Sequence, residues 1–167
     1  MALVSNVVFA LAPLISLIFL EYFITAGVYW PVLIFGAAFV FTFSHPTYLF
    51  FELKHLIDKE NIIERVDIAS VVVFGGLSLS GLVLQVATII RLLALLNPAV
   101  YTLPAIFLLS LAAAIGGCLG LTDLVSRRGL WPPTFIKHLD KIVKSKKLLT
   151  ICLGTTALLS VLTMLFI

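Results

Sequence analysis

The residues best suited to chemistry lie along one apolar stretch of the sequence. Thr42, His45, Tyr48 and Glu52 recur every three to four positions, so a continuous helix would hold them close to one line. Polar side chains inside a membrane are costly unless they face protein or water. A histidine in such a line can donate to a carbonyl oxygen or move a proton near neutral pH. This polar stripe is therefore a candidate site for a quinone headgroup or a proton.

His45 also has a purely structural interpretation. Pro46 follows it, and a proline removes a backbone donor, which leaves the carbonyl of Thr42 without its partner in the helix. A side-chain hydroxyl or a water would then satisfy that carbonyl. His45 would hydrogen-bond to a neighbouring helix beside the kink. The sequence leaves both interpretations open.

Glu21, Arg91 and Gln85 form a second polar group. With five membrane spans, Glu21 and Arg91 both fall at the outer ends of the first and third spans, where each would be costly alone. We expect the two to lie near one another or each to meet another polar partner. Gln85 lies one to two turns deeper and is a further candidate for this network. The alternative is that both charged side chains snorkel separately to water.

The sequence lacks the motifs of enzymes and of tightly bound cofactors. It contains no Ser/His/Asp set, no HExxH motif and no paired intramembrane aspartates. His45 is the only histidine within a predicted span, so a haem held between two histidines of this chain is not expected. Cys118 and Cys152 lack the spacing of metal ligands and are interpreted as packing residues. We expect no cofactor bound by this chain alone, with a quinone as the one candidate ligand, and no enzyme activity of its own.

These groups must be positioned by helices that cross a membrane. Of the 167 residues, 62% are hydrophobic and 11% are charged, whereas about 25% of the residues in a soluble domain are charged. Apolar stretches of about 18 residues or more indicate membrane spans. The sequence therefore predicts an all-α transmembrane bundle in a single domain, with spans near 4–23, 31–53, 68–96, 100–122 and 147–167.

Two boundaries decide this number of spans. The stretch EYFITAGVYWP divides the first long apolar run, because it combines a charge, a glycine, aromatic residues and Pro31. Tyrosine and tryptophan are favoured where the membrane meets water. The pair Asn97-Pro98 divides the third span from the fourth, because the residue before a proline disfavours helix.

The distribution of lysine and arginine predicts the orientation. With five spans, three of the 11 basic residues fall in the loop after the second span, seven fall in the loop after the fourth, and only Arg91 falls on the other side. Basic residues accumulate in cytoplasmic loops. We therefore expect the N-terminus and both charged loops in the cytoplasm and the C-terminus at the outer face.

Small residues in the fourth predicted span indicate close helix packing. Ala112, Gly116 and Gly120 occur at four-residue spacing, and small residues at this interval let helix backbones approach closely. This spacing does not distinguish a partner helix within the chain from one in another subunit.

The segment WPPTFIKHLDKIVKSKK predicts a short helix at the membrane surface. Its apolar residues recur at helical spacing, while Lys137, Lys141 and Lys144 fall mainly on the remaining surface. Such a helix lies in the headgroup layer, with its basic side attracted to anionic lipid. The alternative is a charged loop that only fixes the orientation.

The order of parts from Tyr22 to about Leu121 resembles half of the integral quinol-binding subunits of the polysulfide-reductase membrane-anchor type. An aromatic, small-residue helix is followed by a charged loop, by a helix ending RLLALLNP and by another helix. Chains of that family are generally longer and have more spans. The resemblance implies a quinone-binding role for the polar stripe, and no site residue of the family carries over to this sequence.

These features predict a non-catalytic membrane subunit of a multi-subunit complex, respiratory or otherwise redox. Its partners would be other membrane subunits and lipids, including anionic headgroups, and no nucleic acid. It would pack against partner helices and provide one wall of a quinone or proton site. The rival is a small oligomeric transporter or channel, in which His45, Glu52 and Gln85 would line a route for protons or a small solute.

Overall fold

A computed structural model of the chain describes residues 2–51, 68–96, 103–121 and 132–167, and these ranges contain helices and no strands. Five stretches within them are long and apolar enough to cross a bilayer. The predicted all-α bundle with five spans and one additional short helix is thus confirmed. The helices are α1 (Ala2–Thr25), α2 (Tyr29–Thr42), α3 (His45–Phe51), α4 (Ile68–Leu96), α5 (Leu103–Leu121), α6 (Pro132–Lys144) and α7 (Lys146–Phe166).

The outer surface of the bundle is apolar. Large hydrophobic side chains are exposed on every span, and Leu33, Val83 and Leu165 are 77%, 65% and 72% exposed. Soluble proteins rarely expose apolar patches of this extent, whereas lipid tails solvate them. The chain is therefore an integral membrane protein.

A glycine turn joins α1 and α2. Gly27 has a φ of 70°, in the left-handed region that glycine enters without steric cost. The Gly27 N–H donates to the carbonyl of Ile24 at 3.2 Å, and the Val28 N–H donates to the carbonyl of Phe23 at 3.0 Å. These two bonds satisfy the last carbonyls of α1 in a Schellman motif. The turn divides the long apolar run at the predicted stretch.

The second span is interrupted between α2 and α3. Phe43 and Ser44 form a turn there, and Pro46 is the second residue of α3. A proline has no N–H and its ring crowds the preceding turn, so a helix kinks or breaks at this point. The second span therefore consists of α2, with 14 residues, and the half-helix α3, with seven.

The half-helix α3 lies at the centre of the bundle, between α1, α4 and α5. Glycines in the neighbouring helices make room for it. A Cβ atom added to Gly81 of α4 would lie 2.5 Å from the carbonyl oxygen of Pro46, and one added to Gly117 of α5 would lie 2.8 Å from the side chain of Thr47. Backbones can approach this closely only where side chains are small. The other half of the span, α2, packs mainly against α1.

Helices α5 and α7 are antiparallel and close the bundle. Ala113 packs near Leu159, while Cys118 and Cys152 share a second buried cluster. From the first of these contacts to the second, the residue number increases in α5 and decreases in α7, as it must for antiparallel helices. Ile142 of α6 is buried in the same cluster as the thiols. The short helix α6 therefore covers the end of the bundle where α5 ends and α7 begins.

We predict that replacing Gly81 with alanine destabilises the protein. The added methyl group would meet the backbone of Pro46 and Phe50, which cannot rotate away as a side chain could. Overpacking of this kind typically costs about 1–3 kcal/mol. The measurement is the midpoint of unfolding by sodium dodecyl sulfate, with the protein purified in mild detergent.

The matched control is Gly76→Ala in the same helix. An added Cβ there meets nothing within 4 Å, so its unfolding midpoint should equal or slightly exceed that of the unmodified protein, because alanine is also the better helix former. Equal midpoints for the two variants would contradict the close approach of α3 and α4.

Candidate functional site

A buried hydrogen bond joins the half-helix α3 to α4. Thr47 and Gln85 are 1% and 0% exposed, and the Thr47 hydroxyl donates to Gln85 Oε1 at 3.0 Å. The bond forms because Gly81 and Gly117 allow α3 to approach α4 and α5 closely. It places a polar pair in the middle of an apolar bundle.

The amide nitrogen of Gln85 has no hydrogen-bond partner among the described residues. A glutamine amide offers two N–H donors, and leaving a buried polar group unpaired costs about 1–3 kcal/mol. The hydroxyl of Ser78, which is also buried in α4, likewise lacks a partner within the described part of the chain. These spare groups can donate to the oxygen atom of a ligand, a water or a partner helix.

His45 occupies the side of α3 that faces α1. Its ring centroid lies 5.4 Å from that of Phe9, with the two planes inclined at 38°. The ring is half-buried, and Nδ1 finds no partner in the ranges that the structure describes. Thr47 is two residues further on, or about 200° around the helix. His45 and the Thr47–Gln85 pair are thus two separate polar positions on different sides of α3.

The interruption divides the predicted polar stripe. Thr42 ends α2, and its hydroxyl donates to the carbonyl of Ala38 in the same helix at 2.7 Å. His45 and Tyr48 belong to α3, and Glu52 lies outside the described residues. Thr42 and the pair His45 and Tyr48 therefore lie on either side of the turn at Phe43 and Ser44.

Thr47 is the residue of this site that the spacing of polar residues does not single out. It lies off the line through His45 and Tyr48, and a threonine within a helix often bonds to its own backbone instead of to a neighbour. The sequence feature that could have indicated a contact at Gln85 is Gly81, which lies one helical turn before it. A small residue at that position marks where another helix backbone comes close.

The structure brings Glu21 and Arg91 together at the opposite end of the bundle from α6. Their side chains form an ion pair of 2.6 Å and are 52% and 42% exposed. Together with Ala94 and Leu95 they line an open cleft of about 390 Å³. An exposed pair of this kind contributes about 0–1 kcal/mol. Gln85 takes no part in this ion pair, because its oxygen accepts from Thr47 instead.

The small residues of α5 pack against α3 within the same chain. A Cβ added to Gly116 would meet Ser44, and one added to Gly120 would meet the ring of Tyr48. Ala112 is exposed, whereas its neighbour Ala113 is fully buried. The packing face of α5 therefore includes two of the three predicted small residues and turns away from Ala112.

An open apolar groove runs along the outside of α3. It has a volume of about 530 Å³ and lies between α1, which contributes Val7 and Leu11, and α4, which contributes Leu79 and Val83. Leu49 of α3 also lines it and is 1% exposed. We call this the α1–α4 groove. Its lining suits an apolar chain at membrane depth.

The basic segment folds as the helix α6. Lys137, Lys141 and Lys144 are exposed, and Lys144 forms an ion pair of 2.6 Å with Asp140 one turn away. Ile142 is buried against the bundle. The helix therefore presents one face to the protein and a cationic face outward.

Among the described residues, no group of three or more His, Cys, Asp or Glu side chains is placed to hold a metal ion. Cys118 and Cys152 are free buried thiols. The chemistry that the described polar groups offer is hydrogen-bond donation by Gln85 and hydrogen bonding or proton transfer by His45.

We predict that Thr47→Val destabilises the protein because it removes the donor to Gln85 while keeping the volume of the side chain. Hydrogen bonds between membrane helices contribute on average about 0.6 kcal/mol, with a maximum of about 1.7 kcal/mol. In a Gln85→Met background the same change should cost less, because the acceptor is already gone. Unfolding midpoints of the two single variants and the double variant measure this coupling.

The matched control for this cycle is Thr88→Val. Thr88 is also fully buried in α4, but its hydroxyl donates to the carbonyl of Leu84 in its own helix at 2.7 Å. It should show no coupling to Thr47. Additive effects of Thr47→Val and Gln85→Met would mean that the bond contributes nothing.

Comparison of this chain with family models, with curated proteins and with solved structures gives no match. The bundle itself offers three features that bear on function: a central half-helix with buried polar groups, a peripheral α2 and a cationic α6.

Proposed function

We propose that this chain is a non-catalytic integral membrane subunit of a multi-subunit complex that carries out electron transport. Its spans pack against partner helices, and its polar groups contribute one wall of a quinone or proton site. The N-terminus and the charged loops face the cytoplasm, and the C-terminus lies at the outer face. The uneven distribution of basic residues supports this orientation.

The observation that carries this proposal is the peripheral position of α2. This helix packs mainly against α1, and Leu33 and Val40, which lie seven residues apart on one face, are 77% and 71% exposed. Transmembrane helices are held together by packing and by interhelical hydrogen bonds. A helix that packs mainly against one neighbour and leaves an apolar face exposed is suited to packing against a helix of another subunit.

The polar groups and the α1–α4 groove support the quinone part of the proposal. A quinone combines carbonyl oxygens, which accept hydrogen bonds, with a long apolar tail. The His45 ring, which is half-buried on the side of α3 that faces α1, is the group that can offer a hydrogen bond to a carbonyl. The groove, with Leu49 and Val83 in its lining, is apolar enough for the tail.

Photo-crosslinking in intact membranes tests the subunit proposal. A photoreactive phenylalanine at position 33 or 40 should give crosslinks to one defined membrane protein. The same probe at Phe35 is the matched control, because that side chain faces α1, where its ring centroid lies 4.8 Å from that of Phe19. It should give crosslinks only within the chain.

Native mass measurement after extraction in mild detergent completes the test. We expect a complex that contains the crosslinked partner, and an absorbance spectrum of the same sample shows whether that partner carries a redox pigment. Recovery of a folded monomer alone, with no adduct from positions 33 and 40, would overturn the proposal.

A second candidate function is a small oligomeric transporter or channel for protons or a small solute. The observation that favours it is the interrupted second span, since broken helices at membrane depth build the binding sites of many transporters.

Liposomes that contain only this protein should then conduct protons, and His45→Ala should abolish the flux. His138→Ala, in α6, is the control histidine. Absence of flux would exclude this function, and flux unchanged by His45→Ala would exclude His45 from the route.

A further inference from the structure

In the part of α6 whose side chains the structure describes, from Ile136 onward, one face contacts the bundle. Ile142 is 3% exposed and Leu139 is partly buried, and both pack on the cluster that contains Cys118 and Cys152. These contacts fix the rotation of α6 about its axis. The remaining side chains of the helix therefore have defined directions.

Among the side chains of α6 that the structure describes, two exposed apolar ones remain outside this contact. Ile136 and Val143 are 64% and 66% exposed, and because they are seven residues apart they project from the same side of the helix. In water such residues would be unfavourably exposed. At the boundary between headgroups and acyl chains, an amphipathic helix buries residues of this kind in lipid.

The face beyond these two residues is cationic. Lys137 and Lys141 are exposed on α6, and Lys146 and Lys147 are exposed at the start of α7. The one acid that the structure describes at this end of the bundle is Asp140, which already pairs with Lys144. The positive charge of the other lysines is therefore not balanced by the described part of the chain.

We infer that α6 is a binding surface for the headgroups of anionic phospholipids. Lys137 and Lys141 attract the phosphate groups, while Ile136 and Val143 enter the acyl layer beside them. Each basic residue at a membrane surface contributes about a fivefold gain in affinity for anionic lipid. Because Ile142 and Leu139 pack on the cluster that contains Cys118 of α5 and Cys152 of α7, lipid bound at α6 also stabilises the packing of the last two spans.

The test compares phosphatidylglycerol with phosphatidylcholine. Purified, delipidated protein is titrated with each lipid in mild detergent, and retained lipid is counted by native mass spectrometry while thermal unfolding is followed in parallel. The unmodified chain should retain and be stabilised by phosphatidylglycerol more than by phosphatidylcholine. The difference should shrink at high salt, because salt screens exposed charges.

Charge variants assign the effect to α6. The double variant Lys137→Gln/Lys141→Gln should lose roughly fivefold in affinity for phosphatidylglycerol per lysine removed. It should melt as the unmodified protein does in phosphatidylcholine, because both side chains are exposed. The control Lys137→Arg/Lys141→Arg keeps the charge and should keep the preference.

A second variant tests the apolar flank. Ile136→Ser/Val143→Ser should weaken the retention of both lipids without removing the preference for the anionic one. The inference is overturned if the glutamine variant prefers phosphatidylglycerol as strongly as the unmodified chain. It is also overturned if the unmodified chain does not distinguish the two lipids.

Discussion

The close approach of α3 to two neighbouring helices is the contact on which the rest of the bundle depends. Lipid tails are as apolar as leucine, so burial alone does not drive these helices together. What remains is close packing and hydrogen bonding. Gly81 and Gly117 remove the side chains that would hold α3 away, and the Thr47–Gln85 bond then forms in the space between the helices. Both the polar pair and the α1–α4 groove follow from this arrangement.

The interruption at Pro46 gives one span two different environments. The first half, α2, borders mainly on α1, whereas α3 packs against three helices. A straight helix would place both halves in one environment. The kink thus separates a surface that is open to lipid or to another protein from an interior that carries polar groups. This separation favours a subunit role over a self-contained one, although the interior half alone has the features of a transport site.

Element type and number were predictable because they depend on local chemistry. Long apolar runs define spans wherever they occur, and the Gly27 turn lies in the stretch EYFITAGVYWP that divides the first run. The composition of the site was less predictable, since a polar line assumes one continuous helix, and the structure has a turn at Phe43 and Ser44 between Thr42 and His45. The spacing of small residues also shows which of them share a helix face, but it does not show which neighbouring helix that face contacts. It marks Gly116 and Gly120 correctly as neighbours on one face, but it cannot show that this face turns toward Ala113 and away from Ala112.

The two short halves of the second span have a consequence for how the chain enters the bilayer. At 1.5 Å per residue, α2 is about 21 Å long and α3 about 10 Å long, and the hydrocarbon core is about 30 Å thick. Within the described residues, neither half is long enough to span it alone. The space that α3 occupies against α4 and α5 depends on Gly81 and Gly117, and these two residues are synthesised later than α3 itself. During biogenesis the first two spans therefore enter the membrane before their packing partners exist. The half-helix α3 can make its final contacts only after the fourth span has been inserted.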